Sequence, residues 1–345
     1  MSSSPRSYGS SFEPGPKPAF RIFRPEFDGS GQEGGEAARD VLPEISLLVS
    51  SYNKPRHLRL CLASIGLQQH LNTTPEVVVT DDGSNRETLD VVAEFASETN
   101  LPVVLTTHRH AGFQLARCRN DGVRASSAPY LLFLDGDCVL PPDHVAIHLE
   151  LRKTGCVMAG DYSRLDEEIS RRVTLDVVAR GDYLAWESPE ERKRLRRRHR
   201  SVLWHRWIHH PRKPTLIGNN VGIWRSDYER VNGYDEEFIG WGCEDDDLAR
   251  RLRRVGLSIR SVLHRTRTFH IWHPVDVTAP ARWKDGANVK KLFEDRPTVC
   301  RLGLKSLEVN DDSPREVLPM YREPTVVTRF PRRDSTNSKT KRHVA

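Results

Sequence analysis

Four groups of residues have the types and the spacing to do chemistry. The first is Asp135-Gly136-Asp137. Two carboxylates flanking one glycine repel each other unless a cation or a proton offsets them, and a divalent metal is the natural partner. Hard Mg²⁺ or Mn²⁺ prefers carboxylate oxygen and keeps positions open for a substrate phosphate, so the pair reads as a metal bridge to a diphosphate. The second group joins Ser50-Ser51-Tyr52-Asn53 to Asp81-Asp82-Gly83-Ser84. Tyr52 offers a flat face to a nucleobase, and Asp82 can accept an N–H from the edge of that base. The third is Glu244-Asp245-Asp246-Asp247 behind Trp241-Gly242-Cys243, an aromatic beside convergent carboxylates that suits a sugar. The fourth is His270 and His273 in FHIWHP. Two histidines at i, i+3 in an extended segment need not share a face, but a neutral imidazole beside two carboxylates suits Mn²⁺ at least as well as Mg²⁺.

These residues need elements to position them. From Val41 the chain shows short apolar runs, Ile45 to Val49, Glu76 to Thr80, Val103 to Thr106 and Leu131 to Leu134, separated by helix-length segments. That alternation predicts parallel strands with covering helices. Leu58, Cys61, Leu62 and Ile65 fall at i, i+3, i+4, i+7 and predict one buried helical stripe; the segments Leu89 to Ala96 and Leu115 to Val123 are compatible with helices. Such sheets bind ligands beyond the carboxyl ends of their strands, where the first two groups lie. Turn-making alone explains any single cluster of Asp, Asn, Gly and Ser; three in register at strand ends argue for a site. In the third group the acidic residues open a helix whose apolar positions Leu248, Leu252 and Val255 repeat helically, whose last turn is basic and which stops at Gly256. Acid first and base last suits the helix dipole and accounts for part of those carboxylates. The aromatic lead-in is what it leaves over.

With 345 residues and 37% hydrophobic content, the chain can bury a core for one large or two small domains, which excludes a wholly disordered protein. The net charge is +6, but ten basic and no acidic residues lie between Arg192 and Lys213, so the remainder is near −4. Residues 1–40 are rich in Ser, Pro and Gly and the last dozen are polar, so both ends read as tails. Gly29, Gly31 and Gly34 form a GxGxxG match in the first tail without a preceding strand or following helix, which makes the match accidental. No apolar run approaches a membrane span, the N-terminus lacks the core of a signal peptide, and six cysteines without CxxC spacing read as reduced thiols. The expected place is the cytoplasm.

The runs VSSYNKPRHLRLCLASI, TDDGSNRETL and ARCRNDGVRASSAPYLLFLDGDCVLPPD resemble the nucleotide-binding half of family 2 glycosyltransferases of the GT-A fold, over residues 44 to about 150. The resemblance implies an α/β fold with a Rossmann-like, mostly parallel sheet and an acceptor-side C-terminal subdomain. It implies that Ser50, Tyr52, Asp82, Arg119, Asn120 and Asp135 bind a UDP-sugar donor, Arg119 and Asn120 by matching an "ARN" element, and that Asp135 and Asp137 are the DxD pair on the metal. The run GNNVGIWRSDYERVNGYDEEFIGWGCEDDDLARRL, residues 218–252, is similar to the C-terminal signature of galactosyl- and N-acetylgalactosaminyltransferases. By that match Asp245 is the catalytic base, Glu244 binds acceptor hydroxyls, Trp241 and Gly242 shape the sugar platform and Asn220 is the motif's Asn. Asn232 and Tyr234 depart from the usual Gly and Phe. One His after the next strand completes the metal site in such enzymes; His273 matches best and His270 is the fallback.

The expected organisation is a tail at 1–40, a nucleotide-sugar half at 41–158, an acceptor half at 159–275 with a basic insertion at about 163–214, an extension at 276–330 and a tail at 331–345. The expected activity is metal-dependent, inverting transfer of galactose or N-acetylgalactosamine from a UDP-sugar to a glycan or lipid-linked hydroxyl, with Mn²⁺ or Mg²⁺ as cofactor; a binding protein of the same fold is the alternative. The insertion interleaves arginines with Leu195, Val202, Leu203, Trp204, Trp207 and Ile208. It reads as a helical cover over the acceptor cleft or as a contact with an anionic membrane. Nucleic acid is the weakest partner, because no recognised module accompanies the charge.

Overall fold

The computed structural model describes residues 42–275, 279–280, 282–310, 313–316 and 325–332. The tail expected at residues 1–40, with its GxGxxG match, and residues 333–345 of the polar tail expected at 331–345 lie outside that range.

The apolar runs form strands one or two residues longer than their apolar stretches: β1 (Ile45–Ser51), β2 (Glu76–Asp81), β3 (Val103–Thr107) and β4 (Tyr130–Asp135). They pair in parallel in the order β3-β2-β1-β4. Between them run α1 (Pro55–Gly66), α2 (Arg86–Glu98) and α3 (Leu115–Ala125). Pro55 sits in the first turn of α1, where its missing N–H costs nothing, and Asn85 caps α2 by accepting from Thr88 N at 3.1 Å. Alternation along the strands divides the core. Leu47, Val49, Leu132 and Leu134 pack with Leu58, Cys61, Leu62 and Ile65 of α1, whereas Leu48, Leu131 and Phe133 pack with Ala116 and Val123 of α3. A sheet covered on both faces needs strands apolar throughout, which these are.

Beyond β4 come β5 (Cys138–Val139), α4 (His144–Leu151), β6 (Cys156–Ala159) and β7 (Tyr162–Arg164). The basic insertion folds as α5 (Glu167–Arg172), α6 (Leu175–Arg180), a 3-10 turn at Asp182–Trp186 and α7 (Pro189–Trp207). Then follow β8 (Asn220–Trp224), α8 (Arg225–Glu229), α9 (Glu244–Arg254), β9 (Ser258–Ser261), β10 (Thr268–His270), α10 (Ala287–Phe293), β11 (Leu307–Asn310), β12 (Ser313–Glu316) and β13 (Val326–Phe330). The main sheet runs β13-β3-β2-β1-β4-β8-β6-β9, with β8 antiparallel to both neighbours and β13 antiparallel to β3. A small sheet, β5-β10-β7, stands beyond the end of β4 and pairs His270 with Cys138. All six cysteines are buried and unpaired. Among the described residues no helix is long and apolar enough to cross a membrane.

Candidate active site

Strand register brings the first residues together: Ser50 of β1 lies between Thr80 of β2 and Asp135 of β4. Gly136 donates its N–H to the Ser50 carbonyl at 2.8 Å. A Cβ on Gly136 would stand 2.8 Å from that oxygen, so the turn between the two aspartates needs glycine.

The side chain that organises the site is Arg119 of α3, which is 1% exposed. Its guanidinium reaches Asp135 Oδ1 at 3.2 Å, Asp245 Oδ1 at 2.9 Å and Glu244 Oε1 at 3.6 Å, and lies over the Tyr234 ring at 5.0 Å. One cation thus holds carboxylates from the end of β4 and from the first turn of α9. Asp245 also accepts from the Tyr234 hydroxyl and from Gly218 N, both at 2.8 Å. Burial, and next the charge of Asp245, pushes the Glu244 carboxyl up to about 8 against the opposing pull of Arg119. Burial likewise raises Asp135 to about 6, with Arg119 opposing.

Asp137 turns the other way. Its Oδ2 lies 3.0 Å from His273 Nε2 and its Oδ1 3.7 Å from His270 Nε2. Lys54, just before α1, places Nζ 2.9 Å from Asp137 Oδ2 and 2.8 Å from His273 Nε2. Burial works against the charged form of Asp137, but His273, Lys54 and His270 together outweigh it and hold this carboxyl well below the usual range. One ligand atom each from Asp137, His270 and His273 lies within 4.8 Å of the others. Oxygen and two imidazole nitrogens form a donor set that Mn²⁺ accepts, and the Lys54 ammonium lies against two of the three groups. Of the expected metal ligands Asp135, Asp137 and His273, Asp135 faces the buried Arg119, while His270, carried in by the pairing of β10 with β5, stands beside Asp137 and His273.

At the other side of β1, Tyr52 stacks on His110 with ring centres 4.2 Å apart and planes 12° off parallel. Asp82 Oδ1 faces His108 Nε2 at 3.0 Å, and Oδ2 accepts from Gln114 N at 3.1 Å. Behind His108 lies Asp121, 3.5 Å from its Nδ1. Trp241 is 41% exposed on a loop with Gly240 and Gly242 at φ +83° and +90°. Asn288 of α10 holds this loop by donating to the carbonyls of Ile239 at 3.1 Å and Gly242 at 3.0 Å.

Two expected site residues turn inward. Asn120 donates to Tyr234 O and Glu236 Oε1 and accepts from the Tyr228 hydroxyl and Tyr234 N, so all its capacity is spent inside the protein. Asn220 is fully buried on β8, facing His148 at 2.8 Å. Both tie secondary elements together and neither reaches the carboxylate cluster. Four residues the sequence reading left out belong to the site: Lys54, Gly218, Tyr234 as a hydroxyl donor, and His110. Lys54 and Gly218 stood inside the quoted motif runs, but nothing in their types alone signalled a partner.

Residues 46–208 match the model of glycosyl transferase family 2, and residues 198–274 match a model described as N-terminal domain of galactosyltransferase. Validoxylamine A glucosyltransferase of Streptomyces hygroscopicus subsp. limoneus is 31% identical over 239 residues, covering 64% of this chain and 50% of that protein. Chondroitin synthase of Escherichia coli is 29% identical over 238 residues, covering 64% and 34%. The chain therefore spans half or less of these relatives. A mannosyltransferase structure from Pyrobaculum calidifontis, solved with GDP-Man and Mn²⁺, is 17% identical with a TM-score of 0.48 and covers 67% of this chain and 58% of that one. The two family matches overlap and together span residues 46–274, across β1 to β4, the Arg119 cluster and the His270–His273 strand end, and over residues 46–208 the chain is that of a family 2 glycosyltransferase.

Proposed function

We propose that the chain transfers a sugar from a UDP-sugar to a hydroxyl of a glycan or lipid-linked acceptor with inversion at the anomeric carbon. The observation that carries this is the Arg119 cluster, because a single guanidinium joins a donor-side carboxylate, Asp135, to acceptor-side Glu244 and Asp245. Tyr52 and Asp82 hold the base of the nucleotide. Trp241 and Gly242 offer the acceptor its platform, and Glu244 binds acceptor hydroxyls. Asp245, fixed by Arg119, Tyr234 and Gly218, takes the proton of the attacking hydroxyl. Direct attack from the face opposite the leaving group needs no covalent intermediate. Asp137, His270 and His273 would hold Mn²⁺ or Mg²⁺, which when bound offsets charge developing on the departing diphosphate.

The 198–274 match favours galactose or N-acetylgalactosamine as the donor sugar, while the named glucosyltransferase relative favours glucose. We place this action in the cytoplasm, as the sequence reading expects. A second reading exchanges two roles. Glu244 lies in the same Arg119 cluster as Asp245, 3.6 Å from the guanidinium, so in its ionised form, the minor one at neutral pH, it can take the proton while Asp245 positions the acceptor.

The deciding experiment measures UDP release and transfer across a panel of UDP-sugars with Mn²⁺, and again in EDTA. Turnover should appear with one donor and vanish in EDTA and in Asp137→Ala. Asp245→Asn should retain donor binding and lose transfer by roughly 10² or more. If Glu244→Gln shows that loss instead, the base is Glu244. Full activity in EDTA would overturn the metal assignment, and donor binding without turnover under any condition would make the chain a binding protein.

A further inference from the structure

Helix α7 has an outward face that nothing in the transfer reading uses. Its inner side is anchored: Leu195 and Val202 are buried, and Arg194 and Arg198 pair with the fully buried Asp161 at 3.1 and 2.9 Å. On the outer side Arg196, Arg197 and Arg200 are exposed, followed by Leu203 at 41%, Trp204 at 56%, Trp207 at 71% and Ile208 at 41% exposure. At about 100° per residue these seven share an arc of roughly 140°. The helix therefore shows one face that is cationic at its middle and aromatic at its carboxyl end. Trp204 and Trp207 contact each other, with ring centres 5.1 Å apart, so the apolar part is continuous.

Beside that end opens a cavity of about 810 Å³ lined by Arg206, Arg212, Lys213, Arg250, Arg253 and Arg254, with Glu294 and Asp295 as its acids. Both acids are already near arginines, Asp295 at 3.8 Å from Arg254 of the lining and Glu294 at 3.9 Å from Arg296 outside it. Among the described residues Arg206, Arg212, Lys213, Arg250 and Arg253 have no ion-pair partner; Arg250 donates to the carbonyl of Leu292 and lies over the Phe293 ring, and Arg253 donates to the carbonyls of Pro214 and Arg212. Arg253 Nε is buried without any hydrogen-bond partner. Burial, and then the neighbouring Arg250, lowers this guanidinium to about 10, with Asp246 opposing.

We infer that this face docks the protein on an anionic phospholipid bilayer, with Trp204 and Trp207 at headgroup level and the cationic cavity receiving headgroup phosphates. The complementarity has both parts that such a surface demands, clustered cations and exposed amphipathic aromatics on one helix. A nucleic acid would use the charge and stack on the two indoles, but it would leave Leu203 and Ile208 in water. The inference goes beyond the transfer reading and does not depend on it.

The test is co-sedimentation of the full chain with vesicles of phosphatidylcholine alone or mixed with phosphatidylglycerol. Binding should require the anionic lipid and weaken as salt is raised. Arg196, Arg197 and Arg200 changed together to Gln should weaken it by about a hundredfold, and Trp204→Ser with Trp207→Ser by at least tenfold. All five side chains are exposed, so melting temperatures should not change. Arg206, Arg212 and Lys213 changed to Gln test the cavity; unaltered vesicle binding would remove it from the proposal. Equal binding to neutral vesicles, or no vesicle binding with salt-steep binding to an oligonucleotide, would overturn the inference, as would binding to neither.

Discussion

Arg119 shows what a buried charge is for in this molecule. Taking a guanidinium out of water is costly unless several acceptors surround it, and here Asp135, Asp245 and Glu244 do so while the Tyr234 ring lies against its face. The arrangement leaves more negative than positive charge in a dry place, and the excess appears at Glu244, pushed up to about 8 by burial and by Asp245. A carboxyl raised from 4.5 in this way adds to stability when protonated and takes that contribution away when it ionises. Its contribution is full below about pH 4.5 and is lost as pH rises through about 8, on the order of a few kcal/mol across that window. Glu244→Gln keeps the shape and cannot ionise. Its stability, measured by urea unfolding from pH 5 to 8.5, should therefore gain on that of the unaltered protein as pH rises. Parallel curves would mean that Glu244 titrates as an ordinary exposed carboxylate.

The elements that set this residue in place were legible to different degrees. The four parallel strands stood out because each run is apolar on both faces, and α1 because Leu58, Cys61, Leu62 and Ile65 repeat at helical spacing. The acidic opening and basic close of α9 marked its limits, although its cap turned out to be Cys243 at φ +76° with no side-chain bond. What could not be read were contacts made by groups with no chemical signal of their own. Gly218, at the turn into β8, is such a case: a Cβ there would lie 2.3–2.4 Å from the Arg119 guanidinium, while its N–H holds Asp245. Gly218→Ala should displace Arg119 and Asp245 together. The cost in stability should stay within the usual 1–3 kcal/mol of overpacking, while transfer should fall at least tenfold with donor affinity less affected. A variant with unaltered kcat would show that the loop yields and the guanidinium does not.

At the scale of the whole molecule the chain folds back on itself. It enters through β1 to β4 and continues the same sheet with β8, β6 and β9. It then returns to pair β13 antiparallel with β3 at the far edge. Neither β13 nor its pairing was visible in the sequence, since Val326 to Phe330 lie within a polar extension and a pairing across more than two hundred residues leaves no local pattern. That return does more than cover an exposed strand edge. Thr325, just before β13, donates to Asp121 Oδ2 at 2.7 Å; Asp121 faces His108, and His108 faces Asp82, the residue proposed to hold the base of the donor. Burial opposes a charge on His108, but Asp121 and Asp82 on its two sides raise its pKa, so the three form a tightly held row behind Tyr52. Ending the chain at Pro324 removes Thr325 and β13 together and leaves β3 as an edge. The shortened protein should aggregate more readily on warming, measured by light scattering. Its KM for the UDP-sugar should rise several-fold while kcat with saturating donor changes little, because the loss falls on Asp82 and not on the Arg119 cluster. Thr325→Val in the full chain keeps β13 and removes only the hydroxyl. It should therefore raise KM without promoting aggregation, and an unaltered KM in both variants would dissociate the row from donor binding.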